Sequence, residues 1–270
     1  MIAFITLASR ARLDHLRRQQ QRMARRHPDV ARVVVWLDAD PAPEEVGAAA
    51  EVVHVPPGAG GMRLAAGRNA GAGTAIASGA DLLIFLDADC LPGDSLVGYY
   101  QRAATEHPRA ICCGPVSYLP EGVIVSADAE LASLTDPHPA RPAPADGAVH
   151  AASPEDYPLF WSLSFAMTAD GWQATGGFHT EYAGYGGEDT DFAFAARGAG
   201  IPMLWVGGAH AYHQYHPTSQ PPWQHLDDIL RNGRLFSSRW GSWPMKGWLT
   251  AFAEAGAIER TAEGWARTGS

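Results

Sequence analysis

Short, largely apolar stretches recur along the first half of the sequence and alternate with segments of helical periodicity. These stretches are "IAFITLA" at 2–8, "VVVWL" at 33–37, "EVVHV" at 51–55, "LLIFL" at 82–86 and a run near 110–116. Strands buried on both faces are typical of parallel sheets that helices cover on both sides. The alternation therefore predicts an α/β fold with a mainly parallel, Rossmann-like sheet flanked by helices.

Apolar residues at helical spacing separate the predicted strands. The first helix follows the first strand and ends at His27-Pro28, and two more are expected over about 62–78 and 94–106. The alternation continues in the second half of the chain. The elements expected there are a strand and a short helix in "LFWSLSFAMTADGWQATGGF", a helix over about 188–197, a strand at "PMLWV", and helices after Trp223 and Pro244.

The regular pattern stops between Pro120 and Pro158. Seven prolines fall in this stretch among small and acidic residues, and prolines at this density oppose regular helices and strands. We favour a disordered insertion here, because connections of this length without secondary structure are commonly disordered. The alternative is a mobile lid over a binding site.

Charge and composition exclude some functions. The formal net charge of −9 and the pI near 5.6 argue against a dedicated nucleic-acid binder, whose affinity depends on a basic surface. Seven arginines between Arg10 and Arg26 leave peripheral contact with a membrane surface open, although a solvated helix face accounts for most of them. Arg10 and Arg12, close to the end of the first strand, are better placed to meet phosphates.

The cysteines and the N-terminus indicate the compartment. Cys90, Cys112 and Cys113 lack the spacing of a disulfide framework or a zinc site, so we expect reduced, buried thiols. No basic segment precedes the short N-terminal apolar run, and no apolar stretch approaches about 18 residues. The sequence therefore predicts neither an export signal nor a transmembrane segment, and we expect a cytoplasmic protein.

Two aspartates follow the apolar strand at 82–86 directly, in "FLDADCLP". Alternation along an extended chain sends Asp87 and Asp89 to the same side, where they can hold a divalent cation. Oxygen ligands suit Mg²⁺ or Mn²⁺, which complete their coordination with substrate phosphates. Asp38 and Asp87 both lie just past a strand end, where α/β sheets bind ligands. The alternative is a pair of turn-forming or capping acids.

A second motif, "GYGGEDTDF" at 184–192, places acids after glycines. The glycines allow the backbone to approach a ligand closely, and Glu188 and Asp189 then fall in the first turn of a helix, where the macrodipole favours ionised carboxylates. An ionised carboxylate can act as a base. The alternative is an ordinary acidic helix N-terminus.

A third motif, "AHAYHQYHP", contains His210, His213 and His216. Imidazole can add a nitrogen ligand to a site of the manganese type, and the spacing keeps several candidates close together. Spacing does not choose among them, and a run of surface histidines is the alternative.

Together these motifs resemble the GT-A glycosyltransferases, specifically the inverting family 2 enzymes and the galactosyltransferase-like C-terminal domain of β-1,4-galactosyltransferases and bacterial chondroitin polymerase. "RARLDHL" is similar to the segment after their first strand, "MRLAAGRNAG" to the segment before the metal motif, and "FLDADCLP" to the metal motif. "GGFHTEYAGYGGEDTDF" resembles the acceptor loop with the base, and "AYHQ" the metal-binding histidine segment. The five motifs occur in the family's order between Met1 and about Pro217.

The resemblance implies roles for individual residues. Tyr185 stands where the galactosyltransferase pattern has tryptophan, which leaves the acceptor open, and the methionine ligand of the animal enzymes has no clear match. The implied roles are nucleobase contact for Asp38, nucleotide contacts for Arg10, Arg12 and Arg63, ribose and metal contact for Asp87, metal ligation for Asp89 and His213, general base for Asp189, an acceptor-hydroxyl contact for Glu188, and shaping of the site for Tyr185, Gly186 and Gly187.

The resemblance also implies an activity and a domain organisation. We expect a metal-dependent inverting transferase with Mn²⁺ or Mg²⁺, a nucleotide-sugar donor of the UDP type, and a saccharide, lipid-linked or small-molecule acceptor. Residues 1–217 would form the catalytic domain, and 218–270 a C-terminal helical extension. Within the domain, 1–117 would bind the nucleotide sugar, 118–158 would form the proline-rich loop or lid, and 159–217 would hold acceptor, base and metal histidine.

Three other functions compete with this one. Phosphatases of the haloacid dehalogenase type also carry D-x-D, but on the first strand and with Thr or Val where this chain has Leu91. A nucleotidylyltransferase would need a glycine-rich phosphate loop after the first strand, and "TLASRAR" offers none. A non-catalytic module that binds nucleotide sugars would need neither the base nor the metal.

Overall fold

The structure, a computed structural model, describes residues 1–269, which form thirteen strands, eight α-helices and four short 3-10 helices. The strands are β1 (Ile2–Ala8), β2 (Ala31–Trp36), β3 (Glu51–His54), β4 (Leu82–Leu86), β5 (Cys90–Pro92), β6 (Ile111–Cys113), β7 (Val116–Tyr118), β8 (Val149–Ala151), β9 (Ser164–Thr168), β10 (Met203–Val206), β11 (Ala211–His213), β12 (Ile258–Thr261) and β13 (Gly264–Arg267). The α-helices are α1 (Leu13–Arg26), α2 (Glu44–Ala49), α3 (Leu64–Ala77), α4 (Leu96–Glu106), α5 (Ala169–Thr175), α6 (Glu188–Gly198), α7 (Leu226–Trp240) and α8 (Lys246–Glu254). The 3-10 helices are Arg10–Arg12, Ala132–Leu134, Pro154–Leu159 and Trp223–His225.

Eight strands form the central sheet, in the order β3-β2-β1-β4-β9-β6-β10-β8. Neighbours pair in parallel from β3 to β4 and between β6 and β10, whereas β9 and β8 run antiparallel to their neighbours. Both faces of the sheet are buried: Phe85 and Phe165 pack on one face, and Phe4 and Ile84 on the other. The predicted α/β fold with a mainly parallel sheet is confirmed.

Some elements differ from the sequence prediction. The single strand expected near 110–116 is two short strands, β6 in the central sheet and β7 in a separate three-stranded sheet of order β5-β11-β7. This small sheet joins the segment after the D-x-D motif to the histidine segment, because β5 pairs antiparallel with β11. Such three-residue strands are too short to leave a periodic signal in the sequence.

The proline-rich segment is ordered rather than the expected disordered insertion. Val125 and Leu131 bury their side chains against Leu91 and Tyr212, and β8 extends the edge of the central sheet. The Arg22 side chain donates hydrogen bonds to backbone carbonyl oxygens of the segment at positions 127 and 129. Burial of these scattered apolar residues offsets the chain entropy that the prolines already reduce.

The C-terminal extension contains helices, as expected, and also the hairpin of β12 and β13. Its helix α7 places Phe236 in the main core. Among the described residues, no helix combines the length and the apolar character that crossing a bilayer requires.

Candidate active site

The D-x-D motif and the histidine segment meet at one end of the small sheet. Asp89, His213 and His216 each offer one ligand atom, and these atoms lie within 4.8 Å of one another. The His213 Nε2 atom is 3.6 Å from one Asp89 carboxylate oxygen, and the His216 Nε2 atom is 3.4 Å from the other. A carboxylate with two imidazoles is a donor set that suits Mn²⁺ and related divalent ions.

The electrostatics of this group favour ligation. Burial acts to raise the pKa of Asp89. At the acidic pH where this carboxyl titrates, the hydrogen bond from His216 and the positive charges of His213 and Arg12 outweigh burial and hold the pKa well below its usual range. Burial lowers the pKa of His213, so its imidazole is neutral at neutral pH despite the nearby Asp89. An ionised carboxylate and a neutral imidazole are the protonation states that a metal requires.

Arg12 lies beside the same group. Its Nε atom donates to Asp89 at 3.2 Å, and its terminal nitrogen is 3.1 Å from the nearer ring nitrogen of His216. The 3-10 helix Arg10–Arg12 follows β1, and β1 pairs directly and in parallel with β4, the strand before the D-x-D motif. This pairing brings Arg12 to the motif. Arg12 thus places a positive charge beside Asp89, where the sequence predicts that phosphates bind.

Asp87 belongs to a different network. The buried Arg68 lies 3.6 Å from Asp87 and 3.3 Å from Glu188. One guanidinium thus joins the D-x-D motif to the "GYGGEDTDF" motif, called the GGED motif below. Burial, together with Asp89 and Glu188, raises the pKa of Asp87 to about 7, although Arg68 acts to lower it. Glu188, predicted to contact an acceptor hydroxyl, is already held in this buried ion pair.

Asp189 lies at the start of α6, as predicted, and faces a cavity of about 550 Å³. Burial and the neighbouring Glu188 raise the pKa of Asp189 to about 7. Asp87 lines the same cavity. One cavity is therefore lined by two carboxyl groups, Asp87 and Asp189, and the pKa of each is raised to about 7.

The glycine loop before Asp189 is held from the C-terminal side. The buried Asn232 side chain of α7 is 2.8 Å from the carbonyl oxygen of Gly186 and 3.2 Å from that of Tyr185. Gly186 has a φ of 91°, and a Cβ there would lie 2.8 Å from the sulfur of Met245. The positive φ favours glycine at position 186, and any larger residue would also displace the Met245 side chain.

The residues implied to bind the nucleotide lie near the end of β2 and the start of α3. The backbone N–H of Arg10 donates a hydrogen bond to the Asp38 carboxylate. Asp38, the residue expected to contact the nucleobase, thus links the segment after β1 to the segment after β2. Arg63 is exposed and immediately precedes α3. None of these contacts tests a nucleotide-binding role, which stays a prediction.

Several site residues escaped the sequence prediction. Arg68 lies on the buried face of α3 among small residues such as Ala65 and Ala72, a pattern that signals a buried arginine needing carboxylate partners. His216, one of the three candidate histidines among which spacing could not choose, lies with His213, the only one that matched the family pattern. The wall formed by residues 245–248 belongs to the extension, where no motif drew attention to it.

Comparisons with known proteins match part of the chain to a family model. Residues 147–217 match a family model described as the N-terminal domain of galactosyltransferase. This stretch, about a quarter of the chain, includes Asp189, His213 and His216. No curated protein sequence matches the chain.

Solved structures share the fold. The crystal structure of S. aureus TarS 1-349 is 12% identical with a TM-score of 0.60, and the match covers 88% of this chain and 65% of that one. The same TarS fragment with UDP-GlcNAc gives 12% identity, a TM-score of 0.60, and coverage of 88% and 66%. GalNAc-T7 with UDP, GalNAc and Mn²⁺ is 13% identical with a TM-score of 0.58, over 94% of this chain and 56% of that one.

The chain thus spans about two thirds of the TarS fragment and about half of the GalNAc-T7 chain. At these identities the likeness establishes the architecture, and the family match adds the stretch that contains the GGED and histidine motifs. The chain therefore has the fold of the GT-A glycosyltransferases.

Proposed function

We propose that the protein is a metal-dependent, inverting glycosyltransferase that moves a sugar from a nucleoside-diphosphate donor of the UDP type to an acceptor hydroxyl. The observation that carries this proposal is the arrangement of carboxyl groups: Asp89 clusters with two histidines, while Asp189 and Asp87 share one cavity. Structural neighbours were solved with UDP, with UDP-GlcNAc and with Mn²⁺, which favours this class of donor and ion.

Asp89, His213 and His216 would hold the ion. A divalent cation there would offset the negative charge that develops on the departing diphosphate. Arg12, already hydrogen-bonded to Asp89, would add positive charge next to the same phosphates. Asp87 would lie between this group and the cavity, with its orientation set by Arg68.

Asp189 would act as the base. A carboxylate with a pKa raised to about 7 is a stronger proton acceptor than an exposed one and is still substantially ionised at neutral pH. It would remove the acceptor's hydroxyl proton while that oxygen attacks the anomeric carbon from the face opposite the diphosphate. A single displacement of this kind inverts the configuration and needs no covalent intermediate. Binding both substrates in one cavity supplies a further part of the acceleration.

Two measurements test the proposal. A thermal-shift screen of UDP-, GDP- and dTDP-sugars, with and without Mn²⁺, should show stabilisation that depends on both a UDP-sugar and the ion, because ligands stabilise the state they bind. Asp189→Asn should then lower the rate of UDP release with acceptor by about 10²–10⁴-fold while leaving UDP binding intact, as expected for loss of a general base. Full activity in this variant would remove Asp189 from that role.

A further inference from the structure

Residues 245–248, from the segment after α7, form a wall of the cavity that contains Asp189. Met245 is the one non-glycine residue with a positive φ among residues 1–269, at 54°. A backbone held in this sparsely populated region persists where the surrounding structure enforces it, and such residues concentrate at functional sites. The wall is therefore a built feature of the cavity.

Residues 245–248 contact the loop that leads into Asp189. The sulfur of Met245 packs over Gly186, and the ring of Trp248 lies 5.8 Å from the ring of Tyr185, both contacts being with the loop that leads into Asp189. Trp161 joins Trp248 and Tyr185 in the lining. Flat aromatic faces with polar groups between them suit a sugar ring, which has apolar C–H faces and a polar edge.

Lys246 is the positive charge in this wall. It is the single lysine in the sequence, it is exposed, and it lines the cavity. Among residues 1–269, no carboxylate lies within ion-pairing distance of its ammonium group. Arg68, the arginine in the same lining, is already paired with Asp87 and Glu188. Among its described lining residues the cavity thus offers one unpaired cation, in the wall whose Met245 packs against the glycine loop before Asp189.

From this placement we infer that the acceptor is an anionic saccharide, one that carries a carboxylate, phosphate or sulfate group, and that Lys246 binds this group while Trp161, Tyr185 and Trp248 contact the sugar ring. The inference rests on the proposed function, because it takes the cavity beside Asp189 as the acceptor site. It adds the chemical class of the acceptor, which neither the fold nor the motifs specify.

Matched sugars test this inference by ligand-observed NMR titration in the presence of saturating UDP and Mn²⁺. The probes are methyl glucoside and methyl galactoside, each compared with its uronide, its 6-phosphate and its 6-sulfate, which differ from the neutral sugar only at C6. Wild type should bind at least one acid about threefold to fivefold more tightly than its neutral partner, the range of a partly exposed ion pair. This preference should disappear in Lys246→Gln, persist in Lys246→Arg, and weaken at high salt.

Arg260→Gln is the matched control, since it removes one positive charge from the exposed part of β12 outside the cavity lining. It should leave the preference unchanged. Three outcomes would overturn the inference: no preference for any anionic probe in wild type, no binding of any anionic probe, or an equal preference in Lys246→Gln. So would a parallel loss of UDP affinity in Lys246→Gln, which would assign the lysine to the donor. UDP affinity is measured first: its absence in wild type would count against the proposed function, whereas normal UDP binding without acid preference would refute only the acceptor class.

Discussion

At the scale of single residues, the three carboxyl groups of the site differ because their neighbours differ. Asp89 is surrounded by Arg12 and two histidines, which keep its pKa low, whereas burial and carboxylate neighbours raise the pKa of Asp87 and of Asp189 to about 7. Groups whose environments push their pKa values apart can take different roles in one reaction. Asp89, which is ionised at neutral pH, is suited to binding a cation, whereas Asp189 is suited to accepting a proton.

The raised pKa of Asp189 predicts how activity and stability depend on pH. The base works when deprotonated, so the rate of transfer should rise through about pH 7 and level off above it. For stability the sign is opposite. The pKa of Asp189 is near 3.8 in the unfolded state and about 7 in the folded state, so the folded state binds this proton more tightly. The resulting stabilisation is complete below pH 3.8 and is lost as the pH rises through 7.

Asp189→Asn, which cannot ionise, should therefore melt at a higher temperature than wild type at pH 8 and show a smaller advantage at pH 5. Melting curves of both proteins at the two pH values measure this directly. Asp87 titrates in the same range but is common to both proteins, so the comparison isolates Asp189. An identical difference in melting temperature at both pH values would contradict the raised pKa.

The metal cluster predicts distinct roles for the three histidines. His213→Ala and His216→Ala should each weaken Mn²⁺ binding by at least about tenfold, since each removes a ligand of a site with few protein ligands. His210 provides the matched control, because it lies near Asp146 instead of Asp89. Calorimetric titration with Mn²⁺ and UDP measures the affinities. Unchanged affinity in His216→Ala would reduce the protein ligands to Asp89 and His213.

Much of this site was predictable from residue types and their spacing. Asp87 and Asp89 follow a strand that is apolar throughout, and Asp189 follows a glycine pair, so local pattern was enough to single them out. Choosing His216 as well as His213 required the register of β11 against β5, which three-residue strands do not reveal. The partners of Arg68 are 19 and 120 residues away in sequence, beyond the range of any local pattern.

At the scale of elements, α7 supports the glycine loop before Asp189. Its Asn232 bonds to the glycine loop, and Arg231 donates to the carbonyl oxygens of Gly60 and Ala183, which joins the loop to the segment before α3. The sequence predicted α7 from its periodicity but not this role, because the polar residues involved resemble those of any exposed helix face. Only Asn232, buried at about 1% exposure, departs from that pattern, and burial is visible only in the fold.

Asn232→Ala should loosen this loop without unfolding the protein. The substitution leaves buried carbonyl oxygens without their donor, which we expect to cost about 1–3 kcal/mol of stability. Hydrogen exchange should accelerate at residues 183–187, and UDP release with acceptor should slow, while UDP binding should change little. Ser238→Ala, which removes an exposed hydroxyl from the same helix, is the control. Equal exchange rates in both variants would show that the loop does not depend on Asn232.

At the scale of the whole molecule, the C-terminal extension packs into the core formed by the rest of the chain. Asp191, the last acid of the GGEDTD motif, is almost fully buried and accepts hydrogen bonds from Tyr182 and from Arg239 and Trp240 of α7. Phe236 of the same helix lies in the main core. The domain boundary expected at residue 217 therefore separates the buried Asp191 from two of its hydrogen-bond donors. The order of the family motifs predicted that boundary, but it carries no information about which segments share a core.

This dependence predicts that residues 1–217 do not fold alone. Loss of Arg239 and Trp240 leaves Asp191 with Tyr182, and removing the partners of a buried charge costs about 3–5 kcal/mol, a large fraction of the roughly 5–15 kcal/mol that stabilises a domain.

Deleting residues 257–270 should be milder, since it removes the hairpin and the burial of Ile258, worth about 1.5–3 kcal/mol, but keeps α7 and α8. Circular dichroism melts and UDP binding should thus show a cooperative, lower-melting and UDP-binding protein for the short deletion, and no cooperative transition for residues 1–217. A cooperatively folded 1–217 fragment that binds UDP would make the extension dispensable and would remove the proposed acceptor wall from the catalytic unit.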